Sequence, residues 1–390
     1  MNAPVTSNAE IAISSDHWVE LVRSLGEQFS KRAADHDRAG SFVHDNYRDL
    51  RRHRFFSAGI PAPLGGGGAS YEDLSRVIRE IGRQCGSTAL AFAMHTHPVA
   101  ANIFKHLRGD EAATKTLRKL AQDELIIAGT GANDWLESSG TAQQVDGGYL
   151  VNARKRFVSG AAGADLLVTS ASHETDDGAE ILHFAVPFSA SGVSLVETWD
   201  TLGMRSTGSH DVVLENVFVP GEKIVGRRPS GVWHPMWNVI LPTAMPLIVS
   251  AYVGLAEAAA QQAVHAVRSK AGELAAAVGE MNNHLTTAQL ALEDMVRLNG
   301  NHGFAPSDRL SSDILARKTI AAEAVKATVE RAADLVGGAG FFRGNPIERI
   351  IRDIRAVHFH PLPARRQHAF NGRIALDLAP VPVNDQPWSR

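Results

Sequence analysis

A single cysteine, Cys85, in a chain of 390 residues rules out an internal disulfide and any zinc site built on thiolates, and it fits a reducing compartment. No apolar run approaches the roughly 20 residues that cross a bilayer. The opening stretch MNAPVTSNAE lacks the charged and hydrophobic parts of a signal segment, so a cytoplasmic location without a membrane partner is expected. Neither sign of charge dominates: 39 Lys+Arg face 42 Asp+Glu, and the pI is near 6.6. A nucleic-acid partner needs a concentrated basic face and is not expected. No metal is expected either, because His95 and His97 stand at i and i+2 and point to different sides of a helix. The run LGGGGAS has four glycines, but no Gly-Lys-Ser/Thr follows and no strand is evident before it, which excludes a phosphate loop. There is no internal repeat and no low-complexity tract.

What is present divides by period. Residues 1 to about 15 read as polar and frayed. Trp18, Leu21, Val22, Leu25 and Phe29 share one helical face, and a second helix lies around Tyr47 and Leu50. Ser70 reads as an N-cap with Glu72 and Asp73 in the first turn, opening a helix whose inner face carries Leu74, Val77, Ile78 and Ile81. The apolar run STALAFAMHTHPVAANIF is a further helix, kinked at Pro98. From about Leu125 the period becomes that of strands: LIIAGTG, AQQVDG, GYLVNA, KRFVSG, DLLVTSA, ILHFAVP, VSLVET and DVVLENVFVP are short, β-branched-rich and divided by turn residues. Asp146-Gly147 marks a hairpin. After about Pro242 three long helical segments follow, from about Ala244 to Ala271, Thr286 to Asn299 and Asp308 to Val336. The expected fold class is therefore α+β and multi-domain. Residues 1–122 form an N-terminal helical domain, 123–231 a central antiparallel β domain, sandwich or barrel, and 232–390 a C-terminal helical bundle.

The stretch Asp334–Leu362, DLVGGAGFFRGNPIERIIRDIRAVHFHPL, concentrates the local signals. Gly337, Gly338 and Gly340 close the last long helix. Pro346 opens another, with Ile347, Ile350, Ile351 and Ile354 on its buried face and Arg349, Arg352 and Arg355 turned away. Pro361 then forces the chain out of helical geometry and leaves His358 and His360 at a helix exit.

The phrases IGRQCGSTALAFAMH, NARKRFVSGAAGADLLVTSAS, TLGMRSTGSHDVVLENVFVP and DLVGGAGFFRGNPIERIIRD, in this order, resemble the acyl-CoA dehydrogenase superfamily along nearly the whole chain. The resemblance implies a C-terminal four-helix bundle, a homotetramer, and a flavin held between the β domain and that bundle. It puts Gly129, Thr130, Phe157, Val158 and Ser159 along the isoalloxazine ring, where a flat ring needs an apolar wall and a few donors to its polar edge.

Residues that would identify a dehydrogenase are missing. Desaturation of a thioester needs a carboxylate base beside the substrate. The two positions that carry it in the family correspond here to Pro361 and Ala244, and neither takes a proton. The segment that meets the adenosine half of FAD in a neighbouring subunit reads Asp334-Leu-Val-Gly337-Gly338, where an acid is a poor neighbour for phosphates, and Arg268 and Lys270 are the only nearby cations. These departures resemble the two-component flavin monooxygenases of the dibenzothiophene monooxygenase and 4-hydroxyphenylacetate hydroxylase type. That branch implies reduced FMN or FAD delivered by a separate flavin reductase, a small-molecule substrate and a C4a-hydroperoxide. By the same resemblance Ser159 is a donor to the flavin N5 edge, His360 stabilises the peroxide or acts as acid or base, and His95 is a third polar contact, with His358 and His97 as the neighbours that share these roles. Two other readings stand beside it: an FAD-dependent acyl-CoA dehydrogenase with a relocated base, and a non-catalytic binding protein. Trp233 and Trp237 supply either pocket walls or packing between domains.

Overall fold

The computed structural model describes residues 16–131 and 134–382, without the side chains of 270 and 271; the frayed start expected over residues 1 to about 15 lies outside the described residues. Five helices come first: α1 (His17–Ala39), α2 (His44–Arg52), α3 (Tyr71–Gln84), α4 (Gly86–His106) and α5 (Glu111–Asp123). Ser70 caps α3 as its sequence implies, accepting from the Asp73 N–H while the Asp73 carboxylate accepts from the Ser70 N–H. Loss of that reciprocal cap in Ser70→Ala is expected to cost about 1 kcal/mol in a urea unfolding titration. Pro98 lies inside α4, which continues through it. Helix α5 is an addition to the expected elements: Asp110 caps it, and Ala113, Leu117, Leu120 and Ala121 share its buried face.

The β region is one sheet in the order β6-β7-β3-β2-β4-β5-β8, with β1 off this path against β4. The strands are β1 (Ile127–Gly129), β2 (Thr141–Val145), β3 (Gly148–Val158), β4 (Leu166–Thr175), β5 (Gly178–Pro187), β6 (Val193–Val196), β7 (His210–Pro220) and β8 (Ile224–Pro229). Asp146-Gly147 turns β2 into β3, with Gly147 in the left-handed region at φ +75°. Two expectations need correction. GYLVNA and KRFVSG are halves of one strand, β3, because Lys155 in its middle buries its ammonium instead of marking a turn. Nor is the sheet wholly antiparallel, since β1 and β2 both run parallel to β4.

Helices α6 (Trp237–Val267), α7 (Ala271–Asn299) and α8 (Asp308–Val336) form the bundle core, joined by α9 (Pro346–Asp353) and α10 (Ala364–Ala375). The helical segments expected from about Ala244 and Thr286 begin earlier, at Trp237 and Ala271, and Pro242 and Pro246 lie inside α6. By length and composition α6 could cross a membrane, yet 89% of its apolar window is buried inside the protein, as befits the central helix of a bundle. It also carries the N-terminal helices. A methyl group on Gly254 would stand 2.1 Å from the Arg79 carbonyl oxygen, and one on Gly82 2.5 Å from that of Ala251, so only glycine lets α3 and α6 approach this closely. Glu257 of α6 is buried beside the crossing and bonds Arg79 Nε at 2.8 Å, Arg83 Nε at 2.7 Å and Gln289 Nε2 at 2.6 Å. Burial alone would raise its pKa, but the two guanidinium groups outweigh that and hold the carboxyl below its ordinary value.

Candidate active site

The two expected flavin-wall segments lie in one sheet, at the ends of β1 and β3. β2 pairs with β3 only as far as Asn152, opposite Thr141, and Thr141 pairs with Ser172 of β4. Beyond that point β1 takes the edge of β4, with Gly129 opposite Val168, while β3 runs on to Val158. β1 and β3 are not paired with each other: Thr130 follows the end of β1 on β4, and Ser159 follows the end of β3 on β7. A methyl group on Gly129 would meet nothing within 4 Å, which leaves space above that strand. The Thr130 hydroxyl shares a 2.7 Å hydrogen bond with that of Thr169.

Phe157 sits in the left-handed region at φ +60° and is 50% exposed, its ring edge-on to Trp199 at 6.2 Å. This tight turn, closed by the Ser159 N–H on the Phe157 carbonyl at 3.0 Å, presents an aromatic face and a hydroxyl side by side. Val158 is buried in the sheet core, so of this segment Phe157 and Ser159 are the side chains available to a ligand. Ser159 Oγ is 2.7 Å from Ser209 Oγ, which is 2.7 Å from Thr207 Oγ1, and Thr207 donates to the Met204 carbonyl at 2.9 Å.

His95 has no nitrogen to spare. The Ile127 N–H donates to its Nδ1 at 2.9 Å, so Nε2 carries the proton and donates to the Phe56 carbonyl at 2.8 Å. Burial pushes its pKa down to about 4. It ties α4 to β1, and the expectation of a free polar contact there meets this geometry. His97 is different: its buried Nδ1 has no partner among the described residues, and burial, with His95 nearby, also brings its pKa to about 4.

The two histidines at the end of α9 separate as well. His358 lies 3.6 Å from Glu323 on the outer side of α8. His360 turns inward, its Nε2 2.6 Å from the buried Tyr252 hydroxyl of α6. Burial, then the charge of Lys318, lowers the His360 pKa to about 3, so the ring is neutral at physiological pH. Tyr252 is pushed well above its ordinary value by burial and keeps its proton. Lys318, 2% exposed on α8, was not foreseen. Its ammonium donates to the carbonyls of His360 at 3.0 Å and Leu362 at 2.9 Å and so brackets Pro361, with burial lowering its pKa to about 8.

Among the described residues the buried carboxylates are Asp73, Glu124, Asp134, Asp211, Glu257 and Asp353, and every one is engaged. Asp73 caps α3, Glu124 accepts from Ser57, Asp134 holds Lys155, Asp211 holds Arg154 and Glu257 holds two arginines. Asp353, raised to about 6 by burial, accepts the Met204 N–H at 2.5 Å. Ala244 is buried and apolar.

Arg268, Gly337 and Gly338 do not join this group. Arg268 ends α6, about 36 Å along the helix from Ala244. It lines a cavity of about 580 Å³ with Gln261, Gln262, His265, Val336 and Asn345, beside the exposed glycines. Asp334 pairs with Arg331 at 3.3 Å, and the Lys270 side chain lies outside the described residues. Trp233 and Trp237 pack on Trp135 at 5.8 and 4.4 Å, joining the β1–β2 loop to the bundle.

Comparison with known proteins covers the same ground. The acyl-CoA dehydrogenase N-terminal, middle and C-terminal domain models match residues 16–124, 128–217 and 247–363. A putative acyl-CoA dehydrogenase, YdbM of Bacillus subtilis, is 29% identical over 371 residues, 88% of this chain and 92% of that protein. The L-evernosamine nitrososynthase of a Micromonospora species is 28% identical over 365 residues, 87% of this chain and 85% of its own. The dibenzothiophene monooxygenase of Mycolicibacterium goodii is 25% identical over 394 residues, 91% and 93% of the two chains. KijD3, solved with FMN and a dTDP-amino-keto sugar, superposes with a TM-score of 0.85 at 24% identity over 96% of this chain and 95% of its own.

Proposed function

Because this chain belongs to the acyl-CoA dehydrogenase family through all three of its domains and is a flavin-dependent oxidoreductase, we propose that it is a monooxygenase that takes reduced FMN from a separate reductase and spends it on dioxygen and a small organic substrate. The observation that carries this reading is the missing base. Ala244 and Pro361 occupy the places where a proton acceptor would stand, a lysine brackets one of them, and the buried carboxylates are committed elsewhere.

The crevice we propose for the flavin is the open space over Gly129. Open space over Gly129, the half-exposed Phe157 ring and the hydroxyls of Thr130 and Ser159 give a flat apolar ring its wall and its polar edge its partners. Reduced flavin, when bound, supplies the electrons that activate oxygen. The protein's part is to position and to handle protons. His360, neutral and bonded at Nε2 to a phenol that keeps its proton, offers Nδ1 to an oxygen-derived group and can give or take one proton there. His97, with its unpartnered nitrogen, takes the place first expected of His95. The nitrososynthase and monooxygenase relatives support oxygen chemistry, and FMN in the KijD3 complex supports the smaller flavin. Phe341, Phe342 and Phe359 are at least 74% exposed and give the bundle apolar surface for the expected homotetramer.

To test the proposal, the protein is mixed anaerobically with reduced FMN and oxygen is then admitted. Oxygen uptake should precede the return of oxidised FMN by a measurable delay, and His360→Ala should shorten that delay roughly tenfold, the worth of one lost hydrogen bond to a charged or polar partner. Reoxidation at the rate of free flavin in the wild-type protein contradicts the proposal.

A further inference from the structure

The hydroxyl chain behind Ser159 has a direction. Thr207 and Ser209 are 0% and 3% exposed, so their hydrogens must be used within the protein. Each hydroxyl has one hydrogen to give. The chain ends on the Met204 carbonyl, which only accepts. If Thr207 gives its hydrogen to Met204, then Ser209 must donate to Thr207, and Ser159 must donate to Ser209. That arrangement makes three hydrogen bonds. The reverse arrangement, with every hydrogen turned toward the crevice, keeps two and removes one donor from Met204. The Met204 carbonyl also accepts from Trp199 Nε1 at 2.9 Å, which fixes it in place as the terminus.

We infer that the Ser209–Thr207 relay presents Ser159 to the crevice as a hydrogen-bond acceptor, so that the site selects a ligand offering an N–H at that point, the dihydro form of the flavin over the oxidised form. This rests on the flavin reading of the crevice, and it reverses the donor role first expected of Ser159. Reduced flavin carries a hydrogen on N5, whereas oxidised flavin has a lone pair there that would face the lone pairs of Ser159. To bind the oxidised form, the chain must turn over and give up one buried hydrogen bond, roughly a three- to tenfold penalty. Thr207 and Ser209 are thus positioning residues. They touch no ligand, but they set the polarity of the residue that does. For an enzyme supplied with reduced flavin from outside, such a chain favours loading of the useful form and release of the spent one.

The test compares dissociation constants of oxidised FMN and anaerobically photoreduced FMN for the wild-type protein and for Thr207→Val, Ser209→Ala and Thr207→Ser. Thr207→Val keeps the shape of the side chain and leaves Met204 its indole donor, so Ser209 is freed to donate toward Ser159. The oxidised-to-reduced ratio of dissociation constants should fall three- to tenfold in Thr207→Val and Ser209→Ala. At 29.6 mV per tenfold for a two-electron couple, the potential of bound FMN should fall by roughly 15–30 mV. Thr207→Ser should keep the wild-type ratio. If both forms bind the wild type and the ratio is unchanged in both altered chains, or if both forms weaken equally, the relay has no such role and the flavin reading stands. If the wild type binds neither form, the flavin reading fails and takes this inference with it.

Discussion

Lys155→Met is expected to lower the unfolding free energy by about 3–5 kcal/mol, the usual cost of stranding one partner of a buried ion pair. The Lys155 ammonium, 1% exposed in mid-β3, holds Asp134 Oδ2 at 2.8 Å, Ser138 Oγ at 3.0 Å and the Ser139 carbonyl at 2.6 Å. Burial pulls its pKa down and Asp134 opposes that pull. Without the cation, Asp134 remains buried with Ser139 as its side chain's one partner among the described residues. Arg228 grips the same loop from its other side, donating to the carbonyls of Leu136 at 2.5 Å and Asp134 at 2.8 Å. Between these two cations the loop carries Trp135 onto Trp237, so Lys155→Met should also loosen the contact of this loop with the bundle. A second change, Asp134→Leu, should restore much of the lost stability, because the uncompensated charge goes with it. Urea titrations of the single and double variants measure this. A single-variant loss under about 1 kcal/mol would mean that water already reaches Asp134.

The second large effect is acid sensitivity. His95, His97, His183 and His302 are lowered to about 4 and His360 to about 3, in each case chiefly by burial. Their unfolded values lie near 6.5, so between these limits the unfolded chain binds more protons than the folded one. Stability is therefore intact above about pH 6.5 and falls as pH drops toward 4. Asp353 acts in the opposite sense: raised to about 6, it holds a proton in the folded state that the unfolded chain has released, and it offsets about one histidine. The net is an uptake of about four protons on unfolding, near 5 kcal/mol per pH unit at its steepest. With total stabilities of 5–15 kcal/mol, cooperative unfolding above pH 4 is expected. Urea midpoints measured from pH 7 to 5 should fall progressively; a flat profile would contradict the burial of these rings as neutral groups.

Sequence patterns carried the architecture because period is local. The change from helical to alternating spacing near Leu125 and back again marks the three regions, and the cap at Ser70 and the opening proline Pro346 are written in one to three residues each. Features set by distant partners were not legible. Lysine reads as a solvent residue, so neither Lys155 inside β3 nor Lys318 behind Pro361 could be expected buried. His95 and His97 look alike in sequence. What separates them is the Ile127 N–H, brought from β1 by the fold. Likewise STGSH, at 206–210, shows hydroxyls but not their order of donation, which depends on Met204 and Ser159 meeting across the sheet. The expected wall segments at Gly129–Thr130 and Phe157–Ser159 came from the family resemblance, whereas their places, after β1 on β4 and after β3 on β7, come from the sheet register.

The lack of a proton acceptor for a thioester is tested directly by one measurement. The protein is loaded with oxidised flavin, FMN in one series and FAD in another, and titrated anaerobically with saturated acyl-CoA thioesters of short, medium and long chain. The flavin absorbance should persist through every titration, because every buried carboxylate among the described residues is already engaged. Bleaching by any member of the series would show that a base has been supplied from elsewhere in the chain, and that the protein desaturates thioesters.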